Sequence, residues 1–243
     1  MDTERNDAQP IDLTRFELTA CDRVTIAMPE MPEVCEDDID AQLFAYVASA
    51  PKGSPVKSIA DLDDAWVREN LPLYEGIGEV RNAIRANLTK ETAAAFDELK
   101  YAKCADALVG RLRGDLPAEA VAEMAEAVRA RNEDMLRQQG QTVRRYLEDH
   151  RMSESDYDAK VREEAERELA LNVALDKMVE ATATTVANGE ITEYLACDDP
   201  ESFLEEVRES GRIEDARRAA SRVKVMRRVI ETAKVETAAE SEA

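Results

Sequence analysis

The sequence has few aromatic residues, few glycines and a single histidine, and these shortages narrow its possible folds and functions. Aromatic residues make up 5% of the 243 residues, and glycine occurs 8 times. A compact core rich in aromatic side chains is therefore not expected. Helices that bury a narrow apolar stripe and expose a wide charged face fit a chain that is 44% hydrophobic and 35% charged.

His150 is the only histidine, and this excludes several kinds of catalytic and metal site. Alone it cannot form a histidine-based zinc site or the Glu-x-x-His pairs of a di-iron bundle. No glycine-rich phosphate loop of the P-loop or dinucleotide type occurs in the sequence, so action driven by ATP is not supported. We therefore predict no catalytic residue, no metal, no cofactor and no enzyme activity.

Cysteine is also scarce, and the sequence has no long apolar run. The four cysteines form no C-x-x-C pair and are Cys21, Cys35, Cys104 and Cys197. We expect them to be reduced, small apolar residues of a cytosolic protein. The first residues are polar and acidic, unlike a signal peptide, and no stretch approaches the roughly 18 apolar residues of a membrane helix. The expected location is cytoplasmic, without insertion into a membrane.

The charge balance is strongly acidic, with 53 acidic against 32 basic residues and a formal net charge of −21. A field of this sign repels the phosphates of nucleic acids and anionic lipids, so neither is expected as a partner. Among so many acids, an adjacent pair of carboxylates says little about catalysis. The basic doublets are expected to pair with acidic neighbours on adjacent helices, and they are Arg144-Arg145, Arg217-Arg218 and Arg227-Arg228.

The middle of the chain shows the clearest helix boundaries. A long helix runs towards Gly114, and Pro117 suits the first position of the next helix. Gly140 is expected to end that second helix, and a short third one follows. Ser153, with Asp156 three residues later, gives a capping-box pattern that opens a long fourth helix. Each helix carries one apolar stripe, so each needs a neighbour to cover it.

The flanking segments give weaker signals of the same kind. Residues 16–28 alternate apolar and polar positions, which predicts either a small hairpin with a turn at 21–23 or one continuous strand. A helix with an acidic first turn is expected over 36–49, although Cys35 is a poor cap and this end is expected to fray. Further helices are predicted over residues 79–113 and 154–187, around 191–195, between 200 and 211, and over 212–234.

The order of several motifs resembles a known family. The motifs are Leu116-Pro117 at the start of a charged helix, the break Gln139-Gly140-Gln141-Thr142, Tyr146-Leu147 after it, and the run from Ala165-Glu166-Arg167 to Leu175. Together they are similar to the C-terminal domain of trigger factor, the bacterial chaperone of nascent chains, over about residues 63–235. Residues 61–73 resemble the family's short Asp–aromatic–Val helix, in which Trp66 is expected to be a core anchor.

The resemblance also indicates which parts of the family's full pattern are missing. Residues 50–58 stand where complete trigger factors carry a prolyl isomerase domain, and they are too few to form one. No Gly-Phe pair occurs in the sequence, so the family's ribosome-docking loop is missing, and docking by that loop is not expected.

The fold implied by the resemblance is mainly α. It is an elongated helical body with two protruding arms and a short N-terminal extended or β segment. One arm would be the hairpin around Gly140, and the later helices would form the second. The predicted limits are a disordered N-terminus at 1–12, the extended segment, linker helix and loop at 13–60, the helical chaperone domain at 61–235 and a disordered tail at 236–243.

The function implied by the resemblance is that of an ATP-independent holdase. It would bind unfolded or nascent polypeptides in an apolar cradle between the arms, and so assist protein folding and transport. The residues expected to contact clients at the arm are Leu116, Met135, Leu136, Val143, Tyr146, Leu147 and Met152. Self-association into a homodimer stays open. Two alternative functions also stay open, an assembly or adaptor protein with one dedicated protein partner and a residual peptidyl-prolyl isomerase.

Overall fold

The computed structural model describes residues 11–49, 56–195 and 199–237. These residues fold mainly as α-helices, as predicted. The helices are α1 (Glu36–Ser49), α2 (Asp64–Asn70), α3 (Ile77–Val109), α4 (Ala118–Gln138), α5 (Val143–His150), α6 (Glu154–Thr182), α7 (Ile191–Tyr194), α8 (Pro200–Glu209) and α9 (Ile213–Thr232). The strands are β1 (Glu17–Leu18), β2 (Thr25–Met28), β3 (Leu112–Arg113) and β4 (Lys234–Thr237). Among the helices of these ranges, none combines the length and the hydropathy of a membrane span.

The described residues divide into two compact units. The major unit comprises residues 11–26 and 103–236, apart from the gap at 196–198, and the minor unit comprises residues 27–102, apart from the gap at 50–55, with Thr237. Helix α3 contributes residues to both units. Most of the loop predicted at 50–58 lies outside the described residues, as do residues 1–10 and 238–243 of the two segments predicted to be disordered.

The minor unit is built on a small core between α1, α2 and α3. Its buried side chains are Ile39, Leu43, Val56, Leu62, Val67 and Val80. Trp66 packs against this core and meets Tyr46 edge-on, with 6.3 Å between the ring centroids. The single tryptophan is therefore a core anchor, as predicted.

Helix α1 starts where the sequence predicted, but its first turn is better bonded than expected. The Asp38 carboxylate accepts hydrogen bonds from the Cys35 amide at 2.8 Å and from the Cys35 thiol at 3.1 Å. These bonds, the one from the thiol foremost, lower the pKa of the Asp38 carboxyl. The acidic first turn thus supplies hydrogen bonds at the position of the poor cap, and fraying of this end stays a prediction.

The N-terminal segment forms neither a hairpin nor one continuous strand, so both alternatives from the sequence are wrong. β1 pairs with β3 in an antiparallel ladder, and β2 pairs with β4. The Arg111 guanidinium donates to the carbonyl oxygens of Ala20, Asp22 and Arg23 at 3.4, 2.7 and 3.0 Å, and these bonds fix a bend between β1 and β2. Because Arg111 follows 88 to 91 residues later, the local pattern does not reveal this bend.

Both ends of α4 and α5 and the start of α6 lie close to those predicted. Gly140 has a positive φ of 69° after the end of α4, and Thr142 caps α5 by accepting the amide hydrogen bond of Arg145. The predicted capping box opens α6, since the Ser153 hydroxyl donates to the Asp156 carboxylate at 2.7 Å and accepts from its amide at 3.1 Å. The bonds from the Ser153 hydroxyl and amide lower the pKa of the Asp156 carboxyl.

Helix α6 ends at Thr182, earlier than the predicted end near residue 187. Ala183 adopts a left-handed conformation with a φ of 48°, and the Thr184 amide bonds back to the Val179 carbonyl oxygen at 3.1 Å, which closes the helix. The Thr182 hydroxyl also donates to the Met178 carbonyl oxygen at 2.7 Å. Threonine hydroxyls compete in this way with helical hydrogen bonds, and a count of apolar positions does not detect that. β4 ends at Thr237 and so includes two residues, 236 and 237, of the segment predicted to be a disordered tail.

Candidate binding surfaces

Helices α4, α5 and α6 enclose a small core of their own in the major unit. Its buried side chains are Val128, Leu147, Tyr157, Val161 and Ala165, and the half-buried ones around it are Met124, Ala125, Val143, Tyr146 and Met152. They meet because each helix turns its one apolar stripe towards the others. We call residues 118–182, the three helices with their connections, the α4–α6 segment.

The residues predicted to contact clients differ widely in exposure. Met135 is 50% exposed, whereas Leu136 is 5% and Leu147 is 8% exposed. The half-buried ones are Leu116, Val143, Tyr146 and Met152. The structure brings Val143, Tyr146, Leu147 and Met152 together at the core of the α4–α6 segment. Leu136 and Leu147 offer little surface there, and the client contacts of all seven residues stay a prediction.

Tyr157 in this core carries a buried polar atom without a partner. In the part of the chain that the structure describes, its hydroxyl forms no hydrogen bond. The Arg129 guanidinium lies over its ring, 5.5 Å from the centroid, and Tyr146 meets the ring edge-on at 6.4 Å. Burial raises the pKa of the Tyr157 phenol, whereas the charge of Arg129 and the polar side chain of Asn132 lower it. Asn132 comes near the hydroxyl without meeting the geometry of a hydrogen bond. A buried hydroxyl without a partner costs about 1–3 kcal/mol.

Replacing Tyr157 with phenylalanine is therefore expected to raise the free energy of unfolding by about 1 kcal/mol, because the ring stays in place and the desolvation cost of the hydroxyl is removed. Urea unfolding followed by circular dichroism at 222 nm measures the change. Tyr146→Phe, at a half-buried position, is the matched control and should change the value by less than about 0.5 kcal/mol. A loss of stability in Tyr157→Phe would show that the hydroxyl is bonded in solution.

The basic doublets were expected to pair with acidic residues on adjacent helices, but the ion pairs that two of them form lie within their own helix. Arg144 and Arg145 each face the acidic residue four positions later in α5, at 3.0 and 3.7 Å. Arg217 pairs with Glu214 one turn before it in α9. These pairs lie at the surface and within one helix, where an ion pair contributes about 0.3–0.5 kcal/mol.

Helix α9 carries a concentration of positive charge that the sequence did not lead us to predict as a site. Residues 216–230 contain six basic residues and no acidic one, in a chain with a net charge of −21. A run of one charge sign inside a sequence of the opposite sign is a recognisable signal. We considered only the arginine doublets in the sequence and therefore did not detect the run. The third doublet lies in this run. Arg227 lies over the Tyr194 ring, 5.1 Å from its centroid.

Helix α9 is joined to α6 by a buried, two-fold hydrogen-bonded ion pair. The Nε and Nη2 atoms of Arg222 donate to the two carboxylate oxygens of Asp176 at 2.7 and 2.6 Å. Only 10% of the Asp176 side chain and 24% of the Arg222 side chain are exposed. Paired bonds between two planar groups fix orientation as well as distance, so this pair sets how α9 lies along α6.

The same two helices and residues 21–23 enclose an open cleft with a volume of about 320 Å³. Met178, Val225 and Val229 are buried and give it an apolar wall. The remaining lining residues are Cys21, Asp22, Arg23, Thr182, Arg228 and Thr232. The sequence could not predict this cleft, because its three segments are distant in the chain and none carries a recognisable motif.

The structure shows the surroundings of the single histidine. His150 Nδ1 lies 2.8 Å from the Tyr146 carbonyl oxygen, and the two rings are tilted against each other with 4.2 Å between centroids. Within the described ranges, no group of three or more His, Cys, Asp or Glu side chains is placed to hold a metal ion.

These features define a helical domain with small local cores and some exposed apolar side chains. Residues 76–231 match the family model of the bacterial trigger factor protein C-terminus, and because the match covers more than half of the chain, the chain belongs to this family. The predicted resemblance is thereby confirmed. Membership supports a chaperone-like role, since this C-terminal domain binds nascent or unfolded polypeptides in general. No curated protein matches the sequence.

Proposed function

We propose that the protein is an ATP-independent holdase of the cytoplasm. It binds unfolded or nascent polypeptides through apolar side chains and assists their folding and transport. No bond is made or broken in this role, so no residue is catalytic and no cofactor is needed. The observation that carries the proposal is Met135, a flexible apolar side chain that is 50% exposed within the part of the chain that matches the family.

The half-buried residues of the α4–α6 segment are further candidates for client contact. Val143, Tyr146 and Met152 pack against its small core but keep part of their surface accessible. Such contacts are weak one by one, and a long unfolded chain gains affinity by making several of them at once. The net charge of −21 favours solubility while apolar surface is occupied by a sticky client.

The test is the aggregation of a chemically unfolded protein that is diluted into buffer without nucleotide. We expect suppression at a near-stoichiometric ratio. Met135→Glu should raise the concentration needed for half-maximal suppression by about fivefold, because burial of part of a methionine side chain contributes on the order of 1 kcal/mol. Gln138→Glu, which adds the same charge at an exposed position of α4, is the matched control and should leave that concentration unchanged.

The choice of Met135 alone follows from the burial of its neighbour. Leu136 is 5% exposed, so a glutamate there would bury an unpaired charge and unfold the segment, and a loss of function would then say nothing about client contact. If Met135→Glu suppresses aggregation as well as the wild type does, Met135 is not part of the client-binding surface. Failure of the wild type with several different clients would contradict the holdase role itself.

The other candidate roles give different results in simple assays. An adaptor with one dedicated partner would capture a single protein stoichiometrically from a lysate, whereas a holdase binds many. A residual isomerase would accelerate proline-limited refolding, and we expect no acceleration. Sedimentation of the purified protein tests the homodimer, and sedimentation with ribosomes tests docking, for which the proposal expects no binding by the family's usual loop.

A further inference from the structure

The cleft between α6, α9 and residues 21–23 shares no residue with the small core of the α4–α6 segment, although Met178 and Thr182 at the end of α6 line it. Its volume of about 320 Å³ lies at the lower end of the range for protein ligand sites, about 300–1,000 Å³. A site of this size suits side chains of a bound polypeptide better than a large cofactor. Met178, Val225 and Val229 are only 2–6% exposed. The part of each side chain that stays accessible lines the cleft as a narrow apolar wall, against which one apolar side chain can be desolvated.

The rim of the cleft carries two arginines, Arg23 and Arg228, and one carboxylate, Asp22. Asp22 is already engaged, because its carboxylate lies 3.2 Å from the Arg111 guanidinium. Within the described ranges, the Arg23 and Arg228 side chains form no ion pair. In a chain with 53 acidic and 32 basic residues, an arginine has many acids with which to pair. Two arginines without one, on the same rim, leave a local positive charge beside an apolar wall.

Other basic residues of α9 are occupied elsewhere. Arg222 binds Asp176, and Arg217 binds Glu214. The Lys224 ammonium lies over the Tyr194 ring at 5.5 Å from its centroid. The charge of Arg228 at the cleft is therefore not part of these structural pairs, and it remains available to a ligand.

We propose that this cleft is a subsite for client segments in which a large apolar residue is flanked by aspartate or glutamate. The apolar side chain packs against the wall, and a neighbouring carboxylate binds the guanidinium of Arg228 or Arg23, as carboxylates and arginines readily do. The inference rests on the proposed function and adds a charge preference to it. The acidic surface as a whole repels such segments. The two arginines attract them, so we expect these segments to bind at the cleft and not elsewhere on the surface.

Cys21 supplies a reporter at the site itself. It is exposed, lines the cleft and carries a free thiol, so a bound segment should slow its alkylation. The variant Cys35→Ser, Cys197→Ser removes two other thiols and leaves Cys104, which is buried. In this background we expect a leucine-rich peptide with flanking glutamates to lower the alkylation rate of Cys21 by about tenfold at saturation, because the bound peptide covers the thiol.

Peptide charge and arginine variants test the recognition. The glutamate-flanked peptide should bind about tenfold more tightly than the same peptide with flanking lysines, with a difference that shrinks at high salt. Arg228→Gln should weaken binding of the glutamate peptide by about fivefold and should not weaken binding of the lysine peptide. Arg144→Gln, which makes the same charge change at an exposed residue of α5, is the matched control and should change neither affinity.

The outcomes separate this inference from the proposed function. Three results would each overturn the subsite: equal affinity for both peptides, unchanged affinity of the glutamate peptide for Arg228→Gln, or no protection of Cys21. A fourth would be protection of Cys21 by the fatty acid dodecanoate but by neither peptide. Aggregation suppression that persists in those cases leaves the holdase role standing. If the wild type suppresses no aggregation, the holdase role fails, while the peptide titration still decides whether the cleft binds acidic apolar segments.

Discussion

Replacing Arg222 with methionine is expected to lower the free energy of unfolding of the major unit by about 3 kcal/mol, because removal of one partner leaves the other charge buried and unpaired. The group left behind is the Asp176 carboxylate, of whose side chain only 10% is exposed. Methionine retains much of the aliphatic volume of arginine, so the loss reports on charge more than on packing. Urea unfolding followed by circular dichroism at 222 nm measures it.

Two comparisons make this result specific to the buried pair. Asp176→Leu combined with Arg222→Met removes both charges and should recover most of the loss. Arg217→Met breaks the exposed pair with Glu214, whose side chain is 74% exposed, and should cost less than about 1 kcal/mol. Similar losses for Arg222→Met and Arg217→Met would contradict the role given to the buried pair.

The two partners should also differ from each other. The Arg222 side chain is 24% exposed, more than that of Asp176, so an arginine left alone reaches water more easily than an aspartate left alone. Asp176→Leu by itself is therefore expected to cost less than Arg222→Met. The fluorescence of Trp66, which lies in the minor unit, shows whether both units unfold in one transition.

Much of the helical architecture could be predicted from the sequence, because helix ends depend on nearby residues. Two helix ends show this: the capping box of Ser153 and Asp156, and the positive φ at Gly140. Both depend on residues close together in the chain, so the sequence motif is enough to predict them. The end of α6 at Thr182 was missed because a left-handed alanine follows it, and alanine does not signal such a turn.

Long-range partners account for the other differences. The bend between β1 and β2 depends on Arg111, and the cleft needs α6, α9 and residues 21–23 together. Neither can be read from a local pattern, because the segments meet only in the folded chain. Leu136 and Leu147 were predicted to contact clients, which requires that their side chains be exposed. Leu147 is buried in a core shared with the first half of α6, and periodicity shows that a stripe exists but not what covers it.

The connection after β3 provides the second large effect, since Gly114→Ala is expected to lower the free energy of unfolding by about 3 kcal/mol through backbone strain and a steric clash. Gly114 has a φ of 119°, and a Cβ atom there would lie 2.6 Å from the Arg15 carbonyl oxygen and 2.9 Å from a ring carbon of Phe16. Phe16 is buried at 4% exposure, so its ring has little room to yield. The substitution should therefore loosen the pairing of β1 with β3, and urea unfolding by circular dichroism measures the total loss.

Other glycines of the major unit separate strain from collision. Gly140 has a positive φ of 69°, but a Cβ atom added there would meet nothing within 4 Å, so Gly140→Ala carries only the conformational penalty of about 1 kcal/mol. Gly189 has neither feature, and Gly189→Ala should stay within about 0.5 kcal/mol of the wild type. Hydrogen exchange of the β1 and β3 amides gives a local readout, which should quicken in Gly114→Ala alone. Equal losses for Gly114→Ala and Gly140→Ala would mean that the Arg15–Phe16 segment moves aside at no cost, and that the close approach at Gly114 does not hold the N-terminal strand in place.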